Sequence, residues 1–344
     1  MQAVILAAGK STRTYPLTLA RPKPLLKAAN KTILGHNLDN LNGFVDEVIL
    51  VVGYKKEMVK NYFGNKHKSI KLKYVEQKEQ LGTGHAVSLV EPYIKGRFIL
   101  LMGDDIYSKE DIKKCIKHQY SILAAKVSNP QNFGVIMEKS GILTDFMEKP
   151  KTFVSNLANA AFYCFDKKIF YCISQIKKSE RNELELPDAI KLLSKGEKMH
   201  CIKAKQWLPV AYPWDLLKAD KILRKNKNKI GKKSKINGKV ENSSVGDNCV
   251  INGAVKNSII MDNSVIEKDS IVEGSIIGEN VNFSGKIISK SNATSIVNGK
   301  EIKIGKFGAV IADNVKARNV AISPGCKIWP GKKISNKTIT SDLK

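Results

Sequence analysis

Residues 1–25 read MQAVILAAGKSTRTYPLTLARPKPL. The run up to Ala8 is almost wholly apolar and stops abruptly at Gly9-Lys10-Ser11. It has no basic residues ahead of it and is too short for a membrane span or a secretory signal, so it reads as a buried first strand. A nearly continuous apolar run, as opposed to alternating apolar and polar residues, marks a strand covered on both faces of a mostly parallel sheet. The same form returns at Val48–Val52 and Phe98–Met102, with helical patterns between them at Ile33–Leu41 and Asp111–His118. This alternation predicts an α/β domain over residues 1–225, with ligands bound beyond the carboxyl ends of its strands.

Past that region the pattern changes. Residues 224–235 read RKNKNKIGKKSK, nearly all charged or polar, and predict a basic linker over 226–235. From 236 to 344 a period of six takes over: Ile259, Val265, Ile271, Ile277 and Phe283 recur at that interval, as do Val245 with Ile251, and Ile322, Ile328 and Ile334. One inward aliphatic per six residues, with Asn, Asp, Ser and Gly between, suits short strands and tight turns stacked into a parallel β-helix. The repeat lapses over Ser289–Lys303, which reads as an extruded loop or hairpin. This tail resembles the left-handed β-helix of the hexapeptide-repeat proteins.

With 344 residues, 42% hydrophobic and 26% charged, the chain has ordinary globular usage and enough length for two cores. The formal charge of +26 would attract polyanions. The lysines are dispersed, however, and no zinc-finger or aromatic RNA-binding motif accompanies them, so they read as solvated surface and no nucleic-acid partner is expected. Six scattered cysteines without metal or redox spacing predict reduced, structural thiols; a cytoplasmic location with no membrane partner is the expectation.

The opening segment carries the first chemistry. A strand, a glycine turn and then basic residues offer free backbone N–H groups and positive charge, which a triphosphate requires. Gly9-Lys10-Ser11 matches the end of a P-loop, but Val4 stands where that motif needs glycine. Leu6 through Leu25 instead resembles the signature of the sugar-1-phosphate nucleotidylyltransferases, which implies a Rossmann-like nucleotidyltransferase domain. By that resemblance Ala8, Gly9, Lys10, Ser11 and Thr12 bind the nucleotide, and Arg13 and Lys23 are the catalytic cations on the triphosphate. The AAG at positions 7–9 is common in members using pyrimidine nucleotides. Pro22 and Pro24 fix the backbone around Lys23, which suits a positioned cation.

The segment 75–87, VEQKEQLGTGHAV, ends a strand and places two glycines around a threonine before a helix. It resembles the base loop of uridylyltransferases that make UDP-N-acetylglucosamine, which implies that Gln77, Gly82 and Thr83 meet the uracil; a glutamine amide offers both a donor and an acceptor. His85, just inside the helix, reads as packing. The run FILLMGDDIY delivers Asp104 and Asp105 to a strand's carboxyl end, and the resemblance assigns Mg²⁺ to Asp104, an ion that needs few carboxylates when phosphates complete its shell. The family's second metal carboxylate often lies in W-x-D. Here Pro209 stands at that position after Trp207, and Asp215 is the candidate substitute, with a helix N-cap as its alternative. Gly134, Glu148, Lys149 and Asn159 match the sugar-phosphate pocket, with Ala161 where the family usually has glycine.

The resemblance thus implies transfer from UTP, or dTTP, to a sugar 1-phosphate, N-acetylglucosamine 1-phosphate first, with pyrophosphate released. A glucose-1-phosphate thymidylyltransferase or uridylyltransferase is the alternative. A non-catalytic regulatory subunit is disfavoured because Arg13, Lys23 and Asp104 are all present. Several relatives add an acetyltransferase on the β-helix that uses a histidine base. The five histidines here all lie between positions 36 and 200, which predicts that this second activity is absent or weak and that the β-helix serves homotrimer assembly.

Overall fold

The computed structural model describes residues 1–344. They form two compact units, one of Met1–Gly9 and Leu34–Pro209, the other of Lys10–Ile33 and Val210–Lys344. The division therefore cuts across the expected boundary near 225, since the signature segment 10–33 and residues 210–225 group with the C-terminal repeats.

The first unit is built on a ten-stranded sheet. Its strands are β1 (Gln2–Ala7), β2 (Glu47–Val52), β3 (Lys66–His67), β4 (Ile70–Glu76), β5 (Phe98–Met102), β6 (Ser121–Lys126), β7 (Gly134–Lys139), β8 (Ile142–Glu148), β9 (Leu157–Phe165) and β10 (His200–Lys203). They lie in the order β7-β8-β10-β6-β9-β5-β1-β2-β4-β3. β4, β2, β1 and β5 are mutually parallel, and β9 runs antiparallel to β5 and β6. β1 is buried along its whole length and β2 along nearly all of it, which explains the unbroken apolar runs. Helices cover the sheet; α6 (Lys168–Gln175) and α7 (Leu186–Gly196) bury Phe170, Ile173, Ile190 and Leu193 in one core with Phe98, Leu100 and Phe165. The other helices of this unit are α2 (Ile33–Leu41), α3 (Lys56–Phe63), α4 (Thr83–Ser88) and α5 (Lys109–Cys115), while α1 (Leu17–Ala20) and α8 (Pro213–Leu223) belong to the second.

In the second unit short parallel strands stack coil upon coil into a β-helix. On one wall Val245, Ile260, Ile277, Ile311 and Ile328 are successive partners. A second wall stacks Ile236, Ile251, Ile266 and Phe283. On the third, Val240, Val255, Val272, Ile287, Ile322 and Ile339 follow one another. Each coil hides its aliphatics against its neighbours. A ladder of buried serines ties the coils: the backbone N–H of Ser258 donates to Ser243 Oγ at 3.1 Å, that of Ser275 to Ser258 Oγ at 3.1 Å, and that of Ala309 to Ser275 Oγ at 3.0 Å.

Two sequence expectations change here, and a third is met. The interior residues are Ile260, Ile266 and Val272, not Ile259, Val265 and Ile271. Adjacent residues in a strand face opposite sides, and each of these strands offers two aliphatics in a row, so spacing alone could not choose between them. The basic stretch is not a free linker but the first coil: Lys229–Ile230 pairs with Ser244–Val245, and Lys235–Ile236 with Val250–Ile251. The lapse in the repeat is a hairpin, Lys290–Val297 against Lys300–Phe307. Its turn residues Asn298 and Gly299 both have positive φ, 50° and 78°, as a two-residue hairpin turn demands.

Candidate active site

In the first unit the parallel strands β1, β4 and β5 end on Ala8-Gly9, Gln77 and Gly103-Asp104. Close packing of these ends dictates glycine at two positions. A Cβ on Gly53, just past β2, would stand 2.8 Å from the Ala8 carbonyl oxygen, and one on Gly103 would stand 2.9 Å from that of Leu6. Gly103 N in turn donates to Leu6 O at 2.8 Å, so the chain entering Asp104 is held against β1.

Gln77 is buried at the end of β4. Its Nε2 donates to Gly82 O at 3.2 Å and lies 3.3 Å from His85 Nδ1, so the glutamine, the first glycine of the loop and the helix α4 are one assembly. His85 thus orients Gln77, more than the packing role read from the sequence. The loop itself is pinned by residues 184–186, which the sequence did not bring to notice: Gly84 N donates to Leu184 O at 2.8 Å, Leu184 N to Leu81 O at 2.8 Å, and Leu186 N to Thr83 Oγ1 at 3.1 Å. Gly82 has φ +100°, and a Cβ there would meet Leu184 O at 2.5 Å, so only glycine serves.

Asp104 and Asp105 are partly exposed where β5 passes into the short strand Asp105–Tyr107. Buried Asn37 of α2 holds that strand, donating to Asp105 O at 2.7 Å and accepting from Tyr107 N at 3.3 Å. The strand pairs antiparallel with Trp207–Pro209, Pro209 opposite Asp105, and Trp207 Nε1 donates to Asp105 Oδ2 at 2.9 Å. The position at which the resemblance expects a second carboxylate therefore lies opposite Asp105, but a proline fills it. Asp215, the expected substitute, caps its own helix. It lies in the second unit, where its Oδ2 accepts from the backbone N–H groups of Ala211 (3.1 Å) and Tyr212 (2.9 Å) and its Oδ1 faces Lys218 at 3.3 Å, closing the capping box of α8. No three His, Cys, Asp or Glu side chains gather as a metal cluster. A carboxylate such as Asp104 suits an oxygen-loving ion completed by phosphates and water better than an all-protein cage.

Tyr107 links this strand to β9. Its hydroxyl donates to Ala160 O at 2.9 Å, and burial with the nearby Asp105 and Asp104 charges pushes the phenol well above its usual value, so it stays a neutral donor. β9 bulges here between Asn159 and Tyr163. Asn159 Nδ2 donates to Tyr163 Oη at 2.6 Å and its Oδ1 accepts from Ala161 N at 2.9 Å. Gly134 and Glu148 are register partners on β7 and β8, and a Cβ on Gly134 would stand 2.5 Å from the Phe146 ring and 2.7 Å from Glu148 Oε2. Glu148 and Lys149 are exposed neighbours, 3.7 Å apart. Gly134, Glu148 and Asn159 therefore come from three adjoining strands.

In the second unit Ser11 takes a left-handed turn, φ 52°, and its carbonyl accepts from Thr14 N, Thr14 Oγ1 and Thr18 Oγ1 at 3.0, 2.7 and 2.9 Å. Gly9 and Lys10 are exposed, as are Thr12 and Arg13, whose Cζ lies 5.8 Å from the Tyr212 ring centroid. Tyr212 stacks on Trp214, which meets Phe307 of the hairpin edge-on. Lys23 is buried at the start of a 3₁₀ turn.

Parallel strand ends that present a held amide and the Asp104-Asp105 pair, on a chain that continues into a β-helix, mark an α/β enzyme. Residues 2–226 match the nucleotidyl transferase family, and the chain belongs to it. It is similar to the bifunctional protein GlmU of Methanocaldococcus jannaschii, 42% identical over 247 residues, a match covering 71% of this chain but only 58% of that protein. The bifunctional protein GlmU of Methanococcus maripaludis is 35% identical over 400 aligned positions, covering 100% of this chain and 95% of that protein. Among solved structures, a UDP-glucose pyrophosphorylase complexed with UDP-glucose superposes with a TM-score of 0.59 at 23% identity, covering 66% of this chain and 99% of that one, a likeness of fold. The chain is an enzyme of nucleotide-sugar synthesis, a class that takes a nucleoside triphosphate and a sugar 1-phosphate.

Proposed function

We propose that this enzyme transfers uridylyl from UTP to N-acetylglucosamine 1-phosphate, giving UDP-N-acetylglucosamine and pyrophosphate. The observation that supports this most is the fixed amide of Gln77: with Nε2 spent on Gly82 and His85, Oε1 is the group left to accept the imide N–H of uracil, a proton cytosine lacks. Gly82 and Thr83 complete the base loop. Gly134, Glu148 and Asn159 take the sugar hydroxyls, and Lys149 takes the sugar phosphate.

A sugar-phosphate oxygen attacks the α-phosphorus in line; the new P–O bond forms as the bond to the bridging β-phosphate oxygen breaks, and pyrophosphate leaves with that electron pair. Arg13 and Lys23, with backbone amides of the segment Ala8–Thr12, balance the charge on the triphosphate. Mg²⁺, held by Asp104, supplies further charge neutralisation at the phosphates when bound. In this reading the β-helix assembles a homotrimer and has no acetyltransferase activity, since none of its residues is a histidine. A cytoplasmic location accords with six free, buried cysteines, and no helix is long and apolar enough to cross a membrane.

Pyrophosphate release with UTP, dTTP, GTP and ATP, each paired with N-acetylglucosamine 1-phosphate or glucose 1-phosphate in Mg²⁺, tests the proposal. UTP with the acetylated sugar should lead. Preference for glucose 1-phosphate would overturn the sugar assignment, and silence in every pair would overturn the catalytic reading.

A further inference from the structure

Two residues beyond the wall aliphatics Val245, Ile260, Ile277 and Ile311 stand Asp247, Asp262, Glu279 and Asp313, a column with one carboxylate on each of four successive coils. The three aspartates also hold the stack together. Asp247 Oδ1 accepts the backbone N–H of Lys232 at 2.6 Å, Asp262 Oδ1 that of Asp247 at 3.0 Å, and Asp313 Oδ1 that of Glu279 at 2.9 Å. Glycines at 231, 246 and 278 make this possible, since a Cβ there would lie 2.5, 2.3 and 2.5 Å from those oxygens. With Oδ1 committed, the Oδ2 atoms of Asp262 and Asp313 are fixed in place and aimed out of the stack.

The signature segment is what meets them. Lys27 pairs with Asp262 Oδ2, and Arg21 forks across two coils, one terminal nitrogen on Glu279 and the other on Asp313 Oδ2. Further along, Asn30 Nδ2 donates to Val245 O at 2.7 Å, and Ala29 N donates to Asp220 Oδ1 at 2.8 Å, an oxygen that also accepts from Ser244 Oγ. Arg21 is buried, and only Pro22, whose ring fixes φ, separates it from Lys23. A two-coil fork is a task for guanidinium geometry; an ammonium would reach one carboxylate as a point charge.

We infer that Arg21 is a positioning residue for the transfer reaction: the acid column of the β-helix grips it, and through Pro22 that grip sets the backbone from which Lys23 serves the triphosphate. The β-helix is thereby part of the triphosphate machinery as well as a platform for assembly. The inference rests on the proposed function, and a readout independent of turnover keeps the two apart.

The full-length protein would be compared with Arg21→Gln, Arg21→Lys, the double variant Glu279→Gln/Asp313→Asn, and Asp247→Asn, a column member that caps a coil without gripping the segment. Hydrogen exchange of residues 10–33 should quicken in Arg21→Gln and in the double variant. kcat/KM for UTP should fall at least tenfold in both while KM for the sugar 1-phosphate stays within twofold, with partial recovery in Arg21→Lys and neither change in Asp247→Asn. Faster exchange with unchanged kcat/KM for UTP would reduce the grip to a structural contact and sink the inference. An equal loss in Asp247→Asn, or a parallel rise in both KM values, would do the same by showing a general loss of stability. If the wild-type protein turns over no pair, the functional reading fails separately, and unaltered exchange in Arg21→Gln would then overturn the grip on its own.

Discussion

Ala161 sits at φ 51° in the β9 bulge, in the left-handed region where L residues other than glycine are strained. The sequence showed it only as a departure from the glycine usual in the resembled family; the backbone supplies the reason for that glycine. Relief of about 1–2 kcal/mol of left-handed strain exceeds the roughly 0.4–1 kcal/mol that glycine adds to the unfolded chain's entropy. Ala161→Gly is therefore expected to stabilise the protein by about 0.5 kcal/mol, read as a shift in urea midpoint at constant slope. Arg13 is exposed, so its removal should leave folding intact. Arg13→Ala is expected to lower kcat/KM for UTP about 100-fold, near the 3 kcal/mol typical of one lost charge contact in such a site, in the pyrophosphate-release assay. Asp215, the metal candidate read from the sequence, closes the capping box of its own helix.

At the scale of elements, β10 begins with His200, whose ring stacks on His118 at 4.0 Å between centroids. Burial, then the charges of His118 and Lys198, hold its pKa below the ordinary histidine value. The unfolded chain consequently takes up this proton more readily than the native one, so stability is present above about pH 6.5 and falls as the pH drops through that value. Denaturation midpoints should be lower at pH 5.5 than at pH 7.5, and His200→Asn should narrow the difference; an unchanged difference would remove His200 as its source. The same element scale limited the sequence reading of the β-helix. Strands such as Ile259–Ile260 carry aliphatics on both sides, and their interior member is fixed only by which neighbour stacks above and below.

Taken whole, the chain does not part cleanly where its composition changes. Ending it at residue 225 would strip Arg21 of Glu279 and Asp313, Lys27 of Asp262, Asp220 of Ser244, and Trp214 of Phe307. Loss of partners by buried charges costs about 3–5 kcal/mol, so a chain ending at 225 should melt roughly 10 °C lower or more and lose at least tenfold in UTP turnover; calorimetry and the same assay decide. The sequence by itself determined what local pattern can encode: buried parallel strands from unbroken apolar runs, a coil repeat from its period, and a hairpin from the lapse at 289–303; the segments bearing Gln77, Asp104 and Lys23 were marked by resemblance to the family. It could not show that Asn37, Leu184 and His85 hold the Asp104 strand and the base loop, nor that Pro209 lies opposite Asp105. Nor could it show that Arg21 of the signature is claimed by acids some 260–290 positions away. Those pairings join residues far apart in the chain, and only the packed backbone sets the distances at which a hydrogen bond or an ion pair can form.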